Sequence, residues 1–477
     1  MSLVFRSPRW NWLALAIALA AVLLAQIWAG IVLRGLYADG AFYAEQLLLR
    51  HSFTIIAPSR WTSEALIQAP AVLSVTLGQD SPHAVALAFS LASNLMPLAL
   101  TLACLAVLPE PDRAFGLLPV LIFLAASMSA AFASVADGPT AAAYAWLLLL
   151  LILFGPLTRW RLGFILLLAV GAVRLDEAMA FIGPILVSAC LWRMSATTDR
   201  VSQTVLALAG LLVAAGTALA IDNVLHPEIA ANRASLMKDL LSLRWLISEG
   251  RVNLSALAGL VGIAALPIIV LPTRPRAVAM TGALLIYTAI AALALVEPPC
   301  PAAAFAARAN ACLLTAPAMA LLLALKVGGR RLPASSPTLL AMLGLAIATA
   351  DVAATAGWLT YVRAMRTALT TERGVVAWRD AVAKLPPSQA AAMRRYAWPW
   401  TTPLMSFWLT PGPIVTTLIA NPDGVTWQPF DPTTMQWALS AEAPAVTQNR
   451  FVTLLAQCPI RWNHPVGLFA FSIQNSR

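Results

Sequence analysis

Residues 11–34, NWLALAIALAAVLLAQIWAGIVLR, decide the fold class. Between Arg9 and Arg34 the only polar side chains are Asn11 and Gln26, and a helix of that length crosses a hydrocarbon layer about 30 Å thick. The run is too long for a cleavable signal peptide and lacks a small-residue cleavage site, so it reads as a retained anchor. Such runs recur along all 477 residues. The chain is 60% hydrophobic and 11% charged, against roughly 25% charged for an ordinary soluble domain, which excludes a soluble fold. The expected class is an all-α polytopic membrane protein.

Apolar runs predict eleven spans, at 11–34, 83–107, 114–135, 140–157, 162–174, 177–192, 203–221, 255–272, 277–296, 311–327 and 337–361. The fifth is short before Arg174 and must be tilted or shielded by its neighbours. With Arg6 and Arg9 cytoplasmic, the inner segments also carry Arg113, Arg159, Arg161, Arg193, Arg200, Arg274, Arg276, Lys326, Arg330 and Arg331. The short outer segments carry only Arg174 and Arg308, which satisfies the positive-inside rule. The inner segments therefore account for most of the formal +10 left by 31 basic and 21 acidic residues. That charge is a topology signal and gives no support for nucleic-acid binding. The layout predicts a multi-pass protein of a bacterial-type inner (plasma) membrane, N-terminus cytoplasmic and C-terminus extracytoplasmic.

The sizeable outer segments are 35–82, 222–254 and everything after 361, so the expected division is a transmembrane domain over 1–361 and a small mixed extracytoplasmic domain over 362–477. No G-x-x-x-x-G-K-[ST] or G-x-G-x-x-G pattern offers a nucleotide fold. Residues 35–82 read as two short interfacial helices with Phe42, Tyr43 and Leu47–Leu49 beside Glu45 and Arg50, then Arg60, Trp61 and Glu64. Packing on the bundle explains them equally well. The acids Asp39, Glu45, Glu64, Asp137, Asp176 and Glu177, and all four histidines, His51, His83, His226 and His464, map to the outer side. Ionisable groups avoid hydrocarbon in any case, but carboxylates at the mouth of a helical bundle are a default site hypothesis. Lys238, Arg244 and Arg251 make the second outer segment basic.

The tail holds seven of the sixteen tryptophans, Trp378, Trp398, Trp400, Trp408, Trp427, Trp437 and Trp462; they serve a core or a sugar-stacking surface. Cys300 and Cys312 flank one outer turn and are expected to form a disulfide in an oxidising compartment. Asp351, inside the last span, pairs with a neighbouring helix or serves the site.

This layout resembles the membrane glycosyltransferases of the GT-C fold, which use polyprenyl-phosphate sugars. The similarity lies in a first span followed by Leu36-Tyr-Ala-Asp-Gly40, in the interfacial helices after it, in Arg174-Leu-Asp-Glu177 as a second outer acidic motif, and in a C-terminal outer segment. The chain departs from the pattern in having Gly40 where a second acid would follow Asp39, and it lacks the Trp-Trp-Asp-Tyr-Gly signature of the oligosaccharyltransferase branch. The resemblance implies that Asp39 is the catalytic carboxylate. Sugar transfer from a lipid phosphate needs a base for the acceptor hydroxyl and cations or a metal for the departing phosphate. Arg174, Arg60 and Arg244 are the candidate phosphate partners, and Asp137, Asp176, Glu177 and Glu45 the candidates for orienting an acceptor or holding a divalent metal ion. The expected partners are a polyprenyl-phosphate sugar donor and membrane lipids. Two other readings stay open, a GT-C-shaped scaffold subunit without activity and a lipid or glycan transporter.

Overall fold

The computed structural model describes residues 8–55, 58–79, 81–130, 137–226, 246–248, 251–270, 301–330, 336–371, 375–396 and 402–409, with short pieces at 282–283, 285–291, 293, 417–419, 430–431 and 436–437. The chain is helical in α1 Pro8–Ile31, α2 Asp39–Arg50, α3 Trp61–Thr76, α4 Pro82–Ala106, α5 Leu117–Ala130 and α6 Asp137–Leu153. It continues with α7 Arg159–Ala172, α8 Met179–Ser195, α9 Arg200–Leu225, α10 Leu254–Val270, α11 Pro301–Val327 and α12 Ser336–Thr371. Among the described residues five helices, α1, α4, α9, α11 and α12, are long and apolar enough to cross a membrane. Each of the predicted apolar runs overlaps helical residues, including 285–291 within the ninth. Helix α7, at the short fifth run, is half covered by its neighbours, with Leu162, Ile165, Ala169 and Ala172 buried.

Local chemistry fixes the ends. Ser81, Thr158 and Asp199 cap α4, α7 and α9, each accepting a backbone N–H at 2.9–3.3 Å. At the C-terminal end of α6 two arginines meet the last carbonyls. Arg161 donates to Leu151 at 2.9 Å and Leu150 at 3.1 Å, and Arg193 to Gly155 at 2.6 Å. Cations at helix C-termini also complement the dipole.

Helix α6 is the hub. Its run Leu148–Leu153 is buried throughout, as expected of a helix apolar on every side, and its first residue, Asp137, is carried into the bundle with it. The outer wall is greasy: Ile17 and Leu24 on α1 and Leu208 and Leu211 on α9 are 45–68% exposed, a surface suited to lipid.

A second core lies beyond the end of α1. Helix α12 has 36 residues, about 54 Å, and runs through position 362 without a break. Its last turns bury Trp358, Tyr361 and Met365 with Leu36, Tyr37, Phe42 and Leu47, and with Met393 and Tyr396 around α14 Pro387–Arg395. Between α12 and α14 lies α13 Trp378–Ala383; after them comes α15 Thr402–Leu409. A short parallel strand pair joins Val375–Ala377 with Thr417–Ile419. Trp378 and Trp408 pack against this core, and the Trp408 indole donates to the Ala41 carbonyl at 3.0 Å. Trp398, Trp400, Trp427 and Trp462 lie outside the described residues.

Asp351 takes the first of its two expected roles. Arg34, at the turn after α1, donates to its carboxylate at 2.8 Å and to Thr355 Oγ1 at 2.8 Å, both ends being buried. Gln26 donates to the second carboxylate oxygen and Arg34 reaches Asn94 at 3.4 Å, so the ion pair is hydrogen-bonded on both sides.

The expected Cys300–Cys312 bridge is corrected. Helix α11 is continuous from Pro301 through Cys312, a rise of about 16 Å, and a disulfide requires Cα atoms within about 7 Å. Cys300 itself is outside the described residues, and Cys312 is a free thiol.

Candidate active site

The turn from α1 into α2 is coiled tightly. Leu33 takes a left-handed conformation at φ 61°, Arg34–Leu36 form one 3-10 turn, and Ala38 sits at φ 52°, ψ −124°, a conformation costing about 1–3 kcal/mol. These bends bring Asp39 to the head of α2 and press Gly40 onto the preceding turn. A Cβ at position 40 would stand 1.8 Å from the Gly35 carbonyl oxygen. Position 40 therefore has no room for an acidic side chain.

Four of the sequence-derived candidates meet around one guanidinium. Arg60, closing the turn Pro58–Arg60 before α3, donates from Nε to Glu177 at 2.6 Å and from Nη1 to Asp137 at 3.1 Å. Ser59 Oγ donates to Glu177 at 2.9 Å, and Asn223, at the end of α9, donates to both at 2.9 and 3.0 Å. Asp176 accepts the Ala178 N–H at 2.8 Å, and Asp137 accepts the Gly138 N–H at 2.8 Å at the positive end of α6. Backbone ties hold the frame, since the Thr62 N–H donates to the Arg174 carbonyl at 2.8 Å and its hydroxyl to Gly171 at 2.6 Å.

Charges in this cluster lean on one another. Burial opposes the Arg60 charge, but Glu177, Asp137 and Asp176 more than offset it and raise its pKa. Burial and the adjacent Glu177 charge raise Asp176 well above the carboxylate range, against the pull of Arg60. For Glu177 burial acts upward too, but contact with Arg60 prevails and its pKa falls. The two adjacent carboxyls are thus pushed in opposite directions by the same surroundings. Cys312 of α11 lies within electrostatic reach of all four.

Asp39 lies within electrostatic reach of a buried tyrosine on the same helix. Tyr43, one turn along α2, is buried and donates to Glu64 at 2.8 Å; burial first, then Glu64, Asp137 and Asp39, raise its pKa. Glu64 was noted only as an outer acid and Tyr43 as an apolar residue. The signal for both was helical spacing, because Glu64 follows Arg60 by four residues and Tyr43 follows Asp39 by four.

The remaining candidates go elsewhere. Glu45 lies two residues beyond Tyr43, about 200° around the helix, and takes no part in the interactions of the Arg60 cluster. It is 1% exposed, neither oxygen has a well-aligned hydrogen-bond donor among the described residues, and burial pushes its pKa up to about 8, with the nearby Gln46 amide lowering it only in part. Arg174 lends its carbonyl to α3 while its guanidinium stays exposed and unpaired among the described residues. Arg244 lies outside the described residues, as do Lys238 and His464. His226 bonds Asp222 at 3.0 Å on the surface. Among the described residues no three His, Cys, Asp or Glu side chains are arranged to hold a metal ion. The chain matches no protein-family model, no curated protein and no solved structure.

Proposed function

We propose that this chain is a membrane glycosyltransferase of GT-C-like layout, moving a sugar from a polyprenyl-phosphate donor to an extracytoplasmic lipid or glycan acceptor. One observation carries the reading. Arg60, Asp137 and the adjacent pair Asp176 and Glu177 come from three separate segments and meet at one cluster, and Asp39 lies within electrostatic reach of Tyr43, which donates to Glu64. In this reading Asp39 takes the acceptor hydroxyl proton as that oxygen attacks the anomeric carbon. The bond from that carbon to the phosphate oxygen breaks, and the phosphate leaves with the electron pair. Arg60 is engaged by carboxylates, so the phosphate contact falls to the unpaired Arg174 and to Arg244.

The reading includes eleven spans in a bacterial-type plasma membrane, a cytoplasmic N-terminus, and an extracytoplasmic domain after 361. Trp10 and Trp160, 64% and 83% exposed, support the placement of their helix ends at the inner interface, where tryptophan is favoured. A reporter fused after residue 477 and active only in the cytoplasm would refute this orientation.

The catalytic test is a membrane assay with labelled polyprenyl-phosphate sugars. Asp39→Asn should preserve folding and donor binding and lower turnover by about 10²-fold or more, the scale of a lost general base. Arg174→Ala should weaken donor binding instead. Full turnover in folded Asp39→Asn removes Asp39 from the mechanism. The closure of the Arg60 network on its own carboxylates favours, as a second reading, a scaffold subunit. Wild-type protein that consumes no donor across a broad panel, with candidate partner proteins present, would shift the assignment there or to a transporter.

A further inference from the structure

Helix α12 leaves one side uncovered along its length. Met342, Leu345, Val352 and Ala356, followed by Arg363 and Arg366, are all exposed, and at 100° per residue they fall within a stripe about 120° wide. The stripe is mainly apolar through Ala356, broken by Thr349, with Met342, Leu345 and Val352 56%, 49% and 45% exposed, and past Thr360 it turns cationic. One uncovered face of a helix apolar enough to cross the membrane faces lipid in its apolar part. Its continuation must therefore emerge into the headgroups.

Depth agrees with that placement. Counting from Pro337, where the apolar part of α12 begins, about 20 residues cross a hydrocarbon layer of about 30 Å. The headgroup region adds about 5–7 Å. Arg363 and Arg366 then lie roughly 39 and 43 Å along the axis, about 37 and 41 Å above the start at an ordinary 20° tilt. Arg363 thus stands at the outer edge of the headgroup layer and Arg366 about 4 Å above it, a gap its long side chain spans to reach the lipid phosphates. The two guanidinium groups stand one turn apart, close enough to share one phosphate. Neither has an ion pair among the described residues. The only acid on α12 is Asp351, which Arg34 already holds.

We propose that Arg363 and Arg366 form a binding site for the headgroup of an anionic phospholipid in the leaflet where α12 ends. The site pins the extended helix, and the second core packed on it, to the membrane surface. This inference does not depend on the catalytic reading.

The test is native mass spectrometry of the detergent-purified full chain titrated with phosphatidylglycerol. Phosphatidylcholine serves as the zwitterionic probe and inorganic phosphate as the soluble competitor. Wild type should hold one more phosphatidylglycerol than R363Q/R366Q, whose occupancy of that adduct drops about tenfold, the scale of a lost charged hydrogen bond. R363K/R366K should retain most of it. Millimolar phosphate should not displace the lipid, and phosphatidylcholine should not replace it. Both side chains are exposed, so the Gln variant should unfold at the wild-type temperature without added lipid; if it does not, the Lys pair is compared with single Gln variants. Equal phosphatidylglycerol occupancy in wild type and folded Gln variants overturns the site. Displacement by free phosphate overturns the lipid assignment.

Discussion

Glu45→Gln probes a buried carboxyl whose cost can be worked out. Its folded pKa is about 8 against an ordinary 4.5, so between those pH values the folded chain keeps a proton that the unfolded chain has released. Raising the pH through that window disfavours the fold. Below 4.5 both states are protonated, and above 8 the cost is complete. Each pH unit is worth about 1.4 kcal/mol, which gives on the order of 5 kcal/mol over the whole window and on the order of 3 at pH 7. Glutamine retains the shape of the neutral acid without titrating. Its amide donors need partners in the same place, a penalty of roughly 1–3 kcal/mol at every pH. The readout is therefore the slope: the difference in unfolding temperature between variant and wild type should move steadily in favour of the variant from pH 5 to pH 8 and then level off. Thermal unfolding in detergent, followed by tryptophan fluorescence, measures it. Parallel curves for the two proteins across pH 5–9 would refute the protonated buried state.

Arg34→Ala should cost about 3–5 kcal/mol by leaving Asp351 buried without its partner, while Arg34→Met with Asp351→Leu should recover most of it; unfolding temperatures decide. Gly40→Ala should abolish the yield of folded protein, because the methyl group meets the Gly35 carbonyl at 1.8 Å. Gly163→Ala, where nothing lies within 4 Å, should leave the yield unchanged in size-exclusion profiles. Mass spectrometry of unreduced, alkylated protein should find Cys312 labelled after denaturation and not joined to Cys300.

The membrane helices could be read from the sequence because hydropathy is local: a run such as Leu148–Leu153 needs no partner to announce itself. The acidic turns could also be read, since Asp137, Asp176 and Glu177 must gather where hydrocarbon ends. Contacts at a distance could not. Nothing near Asp351 names Arg34, 317 residues away, as its counter-ion, and nothing in the span pattern shows α12 continuing to Thr371 to form a second core. Cys312 misled for the reverse reason. Proximity in sequence suggested a bridge, but the stretch between the cysteines is helix, which holds its ends apart.

The Arg34–Asp351 pair also sets a clock on biogenesis. Arg34 leaves the ribosome with the first membrane helix, and its carboxylate follows 317 residues later. At about 5–20 residues per second the arginine waits roughly 15–60 s with no counter-ion from its eventual partner. During that interval its charge favours water over a lipid-facing position, so the first helix cannot settle to its final depth. Insertion of α12 releases that restraint. The last long helix is thus the step that locks the first, and a chain truncated before it would present an unpaired cation to membrane quality control.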